Sequence, residues 1–242
     1  MNGSFTATAL SGALVLLLLT ACDSSDVDEV IEEILNQTNI HFYNQMTAAS
    51  AADITVDVST DVVPGAFLKD QGYSTSATAK RESIFIGSGS IDDVNFDADR
   101  SDNGARVASS GSNQLRQARN YTVVAMGDVP TDTTTIGVFE QLRNPAGANR
   151  ASVRFINAMA NQDVSLGGDI TIADLKFAAA SGYQEVTVAN GISVDVTPQG
   201  GATVTDVRCN PTPVAEKSYD AILAFEDFDR TDIALFCHKN KE

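Results

Sequence analysis

The second half of the chain alternates apolar and polar positions. Val186 and Val188, then Val194 and Val196, sit two residues apart with polar residues between them. That is the period of strands with one buried face. Short runs rich in Val, Ile, Thr and aromatics recur at 152–157, 163–166, 184–188, 192–197, 203–208, 219–225 and 232–237. Turn formers separate them, as in Ala189-Asn190-Gly191 and Pro198-Gln199-Gly200-Gly201. About seven short strands per 90–110 residues fit an antiparallel β-sandwich of immunoglobulin-like type. A barrel would show the same periodicity.

The first half resembles the second. Asn39-Ile40-His41-Phe42-Tyr43-Asn44 matches Ser152-Val153-Arg154-Phe155-Ile156-Asn157, and Gly72-Tyr73 matches Gly182-Tyr183. Asn120-Tyr121-Thr122-Val123-Val124-Ala125 matches Ser218-Tyr219-Asp220-Ala221-Ile222-Leu223, and Thr135-Ile136-Gly137-Val138-Phe139 matches Asp232-Ile233-Ala234-Leu235-Phe236. All four pairs keep their order. Two copies suit tandem domains better than a solenoid, which needs three or more repeats. The predicted fold is therefore all-β, with two tandem antiparallel sandwich domains at 38–146 and 150–242. The break falls in Arg143-Asn144-Pro145-Ala146-Gly147-Ala148-Asn149-Arg150, which has turn formers and no apolar run. The offset between copies drops from 110 at Gly72/Gly182 to 98 at Tyr121/Tyr219. Copy one thus holds twelve extra residues, placed within 87–119.

The N-terminus follows another pattern. Residues 9–21 are an apolar core with small residues at its end, too short to span a bilayer comfortably. Leu19-Thr20-Ala21-Cys22 resembles the bacterial lipobox, which implies cleavage before Cys22 and acylation of that residue. Residues 1–8 carry no Lys or Arg, so the positive n-region rests on the amino terminus alone; an uncleaved membrane helix is the alternative. Residues 22–37 read as an acidic tether, with Val27, Val30, Ile31, Ile34 and Leu35 at helical spacing. Several acyl chains hold a protein to a membrane without a spanning helix. The resemblance implies a bacterial cell-envelope location outside the cytoplasm, with inner and outer membrane both open.

Charge narrows the function classes. Lys+Arg number 16 against 32 Asp+Glu, a net charge of -16. Nucleic acid is a poor partner for such a chain, because phosphate binding needs a basic face. Copy one's insertion runs against the trend, with Arg100, Arg106, Arg116 and Arg119 in a Gly/Ser-rich stretch. These four are the candidate contacts for an acidic partner, a polysaccharide or an envelope protein. The alternative is a solvated hairpin whose arginines pair with Asp97, Asp99 and Asp102. The same three acids hint at a calcium loop, yet Ser101 stands where an acid belongs and no closing Glu follows.

With Cys22 acylated, Cys209 and Cys237 form an even pair, read as a disulfide closing a loop of 29 residues. Glu140 is the counterpart of Cys237 in copy one, so the staple belongs to copy two. Zinc is disfavoured because Cys209, Cys237 and His238 lack ligand spacing. The chain has two histidines, His41 in a strand and His238 in the tail, and neither a Gly-x-Ser-x-Gly elbow nor an HExxH helix. The acid pairs Asp92/Asp93, Asp97/Asp99 and Asp227/Asp229 read as turns rather than glycosidase carboxylates. No enzyme, and no cofactor, is expected.

Residues 175–186 and 190–198, together with Val153-Arg154-Phe155-Ile156-Asn157-Ala158 and Asp163-Val164-Ser165-Leu166, resemble the bacterial domain-of-unknown-function family 4397. Met159-Ala160 replaces that family's usual Ser-Pro, and copy one keeps less of the pattern. The resemblance implies an extracytoplasmic β-sandwich found on envelope lipoproteins, and no catalytic residues. The expected function is thus non-catalytic: a lipid-anchored envelope protein that binds a partner through its loops. A small-ligand or calcium-binding module is the alternative, and a glycan hydrolase ranks behind both.

Overall fold

The computed structural model describes residues 37–74, 80–85, 89–144 and 146–240. The predicted leader, Cys22 and most of the tether lie outside the described residues.

What is described is nearly all β. In chain order the strands are β1 (Gln37–Thr47), β2 (Val56–Thr60), β3 (Val63–Gln71), β4 (Lys80–Phe85), β5 (Ser90–Val94) and β6 (Phe96–Arg100). Then come β7 (Arg106–Ser109), β8 (Asn113–Arg116), β9 (Asn120–Asp128), β10 (Thr135–Glu140), β11 (Arg150–Asn157) and β12 (Val164–Gly168). The last six are β13 (Ile172–Leu175), β14 (Gln184–Thr187), β15 (Ser193–Pro198), β16 (Val204–Asn210), β17 (Ser218–Phe225) and β18 (Ile233–Lys239). One short helix, α1 (Ala51–Ile54), is the α-helix among the described residues. All seven strands expected in 150–242 are present to within about two residues at each end; β13 was not anticipated.

The sheets stack in layers. β10-β9-β1-β4 packs against β3-β2-β6-β7, and Ile40, Phe42, Val56, Val58, Phe96 and Val123 fill the space between them. An eight-stranded sheet, β13-β12-β15-β16-β18-β17-β11-β14, turns back on itself. Its halves enclose Phe155, Leu166, Val194, Val196, Leu223 and Leu235. The order β10-β9-β1-β4 recurs as β18-β17-β11-β14, and β3-β2-β6-β7 as β13-β12-β15-β16. In both cases the first strand is interior and runs parallel to the penultimate one, β1 beside β9 and β11 beside β17.

Burial patterns explain the layering. Outer strands alternate, as in Val56–Thr60 (buried at Val56, Val58 and Thr60) and Ser193–Pro198 (buried at Val194 and Val196). Such strands face water on one side. The central ones do not: β9 is buried from Tyr121 to Asp128 and β17 along its whole length. Their near-continuous apolar sequences match burial on both faces. A third core lies between the two central sheets, built from Tyr43, Val124, Met126, Ile156, Ile222 and Phe236. The four layers are therefore joined by three cores.

Two local devices occur twice. Asn44 ends the matched part of β1, and its Nδ2 donates to the carbonyls of Ile54 (2.6 Å) and Gln71 (3.0 Å). Its Oδ1 accepts from Met46 N–H (3.2 Å). Asn157 makes the same set on β11: Nδ2 to Gln162 O (2.7 Å) and Leu175 O (3.0 Å), Oδ1 from Met159 N–H (3.0 Å). Each asparagine, fully buried, ties one central strand to its outer layer. The second device is a tyrosine whose hydroxyl accepts a backbone N–H five residues upstream: Tyr121 from Arg116 (2.8 Å) and Tyr219 from Val214 (2.9 Å). This is the tyrosine-corner arrangement of sandwich domains.

Two expectations need correction. The stretch expected to be copy one's insertion, described from residue 89 to 119, is not a Gly/Ser-rich excursion or a single hairpin but is built of strands. It supplies β6 and β7 to an outer sheet, and β5 and β8 form a separate two-stranded ribbon. That ribbon has no equivalent among the strands of residues 150–240. Pairing also moves the match between β10 and β18. Val138 lies opposite Val123 and Cys237 opposite Ala221, so Val138 is the counterpart of Cys237, not Glu140. The shift is two residues, which keeps every side chain on its face and so leaves no trace in the alternation.

Replacing Asn44 or Asn157 with Ala leaves two buried carbonyls and one buried amide without their partner. Each substitution should lower stability by about 3 kcal/mol or more. Chemical denaturation would read this, and a loss below about 1 kcal/mol would show that the clamp is not structural.

Candidate functional site

The four candidate arginines do not converge. Arg100, at the end of β6, bonds Asp102 (2.7 Å) and Asp53 (2.8 Å). The pair with Asp102 raises the guanidinium's pKa and lowers the carboxyl's. Arg106 on β7 bridges Asp97 (3.0 Å) and Asp99 (3.1 Å). Arg116 and Arg119 both approach Glu140, at 3.7 and 3.5 Å. Each therefore has a carboxylate partner, in three separate groups: Arg100, Arg106, and Arg116 together with Arg119.

The candidate calcium residues are drawn apart in the same way. Asp97 and Asp99 alternate on the solvent face of β6 rather than in a turn, where Arg106 neutralises them; Asp102 points to Arg100. Asp99 sits directly opposite Asp57 across the strand pair, an arrangement of like charges that destabilises a sheet unless relieved. Arg106 relieves it from one side. From the other, Asp70 N–H and the Ser101 hydroxyl hold the Asp57 carboxyl below its ordinary range. A shallow cleft of about 520 Å³ runs over this face, lined by Asp57, Asp61, Asp97, Asp99 and Arg100 among others. Among the described residues no group of three or more His, Cys, Asp or Glu is placed to hold a metal ion. Asp227 caps its own turn through Thr231 (2.9 Å), with Asp229 beside it.

Cys209 on β16 and Cys237 on β18 form a disulfide, with Cα atoms 5.4 Å apart. The bond closes a seam. β16 and β18 pair at two positions, Cys209 with Leu235 and Asn210 with Phe236. The corresponding seam between β7 and β10 is held by side chains, with Thr134 and Thr135 hydroxyls donating to the carbonyls of Val107 and Ser109. His238 is not in a tail. It lies buried in β18, its ring 3.8 Å from that of Tyr43.

The densest polar cluster among the described residues joins the two central sheets. Asp220 on β17 is fully buried and accepts Arg154 Nε (2.9 Å) and Nη2 (2.7 Å). It also accepts the hydroxyls of Tyr183 (2.9 Å) and, across the layer boundary, Thr122 on β9 (2.6 Å). Gln141 donates to Thr122 (2.9 Å), and Arg154 donates to the Glu140 carbonyl (2.9 Å). The guanidinium lies 5.0 Å from the Tyr183 ring and 5.8 Å from that of Phe139. Burial works against the Arg154 charge, but Asp220 outweighs it and leaves the guanidinium more firmly protonated. Burial first, and then Asp220, push the Tyr183 hydroxyl's pKa up, so it remains a donor.

A second ionic contact pins the other end. Arg230, in the β17–β18 turn, pairs with Asp128 of β9 and donates to Thr47 of β1 (3.1 Å). Burial opposes the Asp128 carboxylate, yet Arg230, Thr131 and Thr47 outweigh it and hold the group below its usual range. Tyr73 adds a hydroxyl bond to the Phe225 carbonyl (2.7 Å). Tyr73 thus bridges the central sheets, while its Gly-Tyr counterpart Tyr183 bonds Asp220 within its own sheet and accepts Leu142 N–H (3.3 Å) from the segment after β10.

Sequence reasoning missed Arg154, Asp220, Thr122 and Tyr183 as a group. A signal existed: Arg154 interrupts Val153-Arg154-Phe155-Ile156, and Asp220 interrupts Tyr219-Asp220-Ala221-Ile222. Opposite charges inside two apolar runs predict each other when the strands are neighbours.

No family model matches the chain, and no curated protein matches it in a sequence search.

Asp220→Ala strands a buried guanidinium and should cost about 3–5 kcal/mol, whereas the double change Arg154→Met with Asp220→Leu should recover most of that loss. Denaturant midpoints of the three proteins test this; equal losses in the single and double variants would contradict it. Asp128 gives a pH signature. A carboxyl depressed in the folded state adds stability that is complete above its unfolded pKa and is lost as pH falls through the folded one. Stability should therefore decline below about pH 4, and less steeply in Asp128→Asn.

Proposed function

We propose that this chain is a non-catalytic, lipid-anchored protein of a bacterial cell envelope, built from two tandem copies of one β-sandwich, that binds a partner through its loops. The observation that carries the reading is the third core with its buried Asp220–Arg154 pair, which sets the two halves at a fixed spacing. A rigid block on a tether suits presentation of surface rather than turnover at a cleft. The lipobox resemblance of Leu19-Thr20-Ala21-Cys22 supplies the anchor. The recurring strand order, the two asparagine clamps and the two tyrosine corners support duplication. They also support an immunoglobulin-like relationship, with the difference that the first strand is interior rather than at a sheet edge. Similarity to domain-of-unknown-function family 4397 belongs to the same proposal.

Pairing of all four arginines with carboxylates makes them a weaker recognition surface for an acidic polymer than their number suggests. One observation favours a second reading, a small-ligand module: the cleft over Asp57, Asp97 and Asp99 presents several acceptors. A rise in melting temperature with calcium or sugars would support it through binding linkage.

Cys22→Ala should abolish acylation and release the protein from membranes, and crosslinking of the anchored parent in its native cells should capture a discrete partner. Continued acyl labelling of the variant would overturn the anchor. Hydrolytic turnover that a single Asp or Glu substitution removes would overturn the non-catalytic reading.

A further inference from the structure

Matched segments of the two halves meet in the third core. Thr122 on β9 and Asp220 on β17 hold the same place in 120–125 and 218–223, and the Thr122 hydroxyl donates to Asp220 Oδ2 at 2.6 Å. The same hydroxyl oxygen accepts the side-chain amide of Gln141, Nε2 to Oγ1, at 2.9 Å. Gln141 is fixed from its backbone. Its N–H bonds Asn120 O (2.7 Å), one step beyond the last β9–β10 pair, Tyr121 with Glu140. Thr122 and Asp220 are fully buried, and Gln141 is 7% exposed.

A hydroxyl, a carboxylate and a carboxamide in contact are the parts of an acyl transfer. A threonine hydroxyl becomes a nucleophile when a base lies within hydrogen-bond reach and another group orients that base. Asp220 has that reach. Arg154 (Nε 2.9 Å, Nη2 2.7 Å) and the Tyr183 hydroxyl (2.9 Å) fix its carboxylate. The electrophile is the amide carbon of Gln141. It is bonded to Nε2 at about 1.33 Å, so it lies at most about 4.2 Å from Thr122 Oγ1. Reacting atoms stand about 3–3.5 Å apart, and about 1 Å of amide movement closes the difference. Well-oriented intramolecular partners reach effective concentrations of about 10⁵ M or more, which offsets the low reactivity of an amide.

We infer that Thr122 and Gln141 join in an intramolecular ester. Thr122 Oγ1 attacks Gln141 Cδ, and the hydroxyl proton passes to Asp220. The C–N bond then breaks, its electron pair leaves on nitrogen, and Asp220 returns the proton to complete a molecule of ammonia. One C–O bond forms and one C–N bond breaks, with no change in oxidation state, and Asp220 ends as the carboxylate it began as. Dilution of the ammonia draws the reaction forward, and burial keeps bulk water from the ester. The event happens once in each molecule, so it is not turnover and is separate from the binding role proposed above. Its product fastens β10, an edge strand of its sheet, to β9. Residues 38–146 contain no cysteine, so the ester is the first half's covalent staple, as Cys209–Cys237 is the second's.

Mass analysis of the full chain, purified and then denatured, reads the bond directly. Trypsin releases residues 120–143 as one peptide, because Arg119 and Arg143 bound it and no other Lys or Arg lies within. That peptide should be lighter than its sequence by one ammonia. Met126 is its one methionine, so cyanogen bromide should cut there and leave both pieces joined. Mild alkali should part them with uptake of one water. Thr122→Val should restore the full mass and free the pieces, whereas Thr122→Ser should keep the link. Asp220→Asn, which keeps the side chain's shape, should leave most molecules unlinked. A parent peptide of full mass overturns the inference. So does one lighter by ammonia whose pieces separate at Met126, since that marks an imide and not a bond across the hairpin. A link that survives in Thr122→Val removes that hydroxyl as the nucleophile. The parent peptide alone decides the question, even if a variant fails to fold.

Discussion

Burial of β1, β9, β11 and β17 on both faces is the constraint on which the rest of the architecture depends. A strand with no solvent side needs apolar residues at successive positions, not alternate ones, and any polar atom it carries must find a partner inside. The sequence meets the first condition with Val123-Val124-Ala125-Met126 and Ala221-Ile222-Leu223-Ala224. It meets the second with Asp220, whose carboxylate is shared by Arg154, Tyr183 and Thr122. A buried ion pair adds little net stability against an apolar substitute of similar shape. Its effect here is positional: Asp220 reaches Thr122 only when the two sheets are in one register, with Arg230 and Asp128 holding the far end.

Much of this was legible in the residues, and the remainder was hidden for definite reasons. Val194 and Val196 announced a half-buried strand and β15 is one. The repeated strand-ending Asn was visible, and its cause is the three-bond clamp that Asn44 and Asn157 both make. Runs such as Tyr219-Asp220-Ala221-Ile222 were readable as strands, but what covers their second face depends on a partner sheet far away in sequence. β13 escaped because Ile172-Ala173-Asp174-Leu175 is a short edge strand with little alternation. Asp97 and Asp99 were read as turn residues from composition. Spacing by two, alternating with the buried Phe96 and Ala98, was the better guide. The Cys237 counterpart was misplaced because a shift by two residues is invisible to periodicity.

The proposed binding role rests less on any cleft than on a rigid body whose surface charges are balanced locally. Carboxylates on the outer layers are bound by arginines of their own hairpins, as with Arg106 across Asp97 and Asp99. The disulfide between Cys209 and Cys237 secures the seam where two paired positions join the halves of the eight-stranded sheet.

The central claim is that the third core makes four layers one cooperative unit. Differential scanning calorimetry tests it most directly. The account predicts a single endotherm whose calorimetric and van't Hoff enthalpies agree, because neither half can expose Val124, Ile222 and Asp220 while the other stays folded. Two resolved endotherms, one for each half, would contradict it.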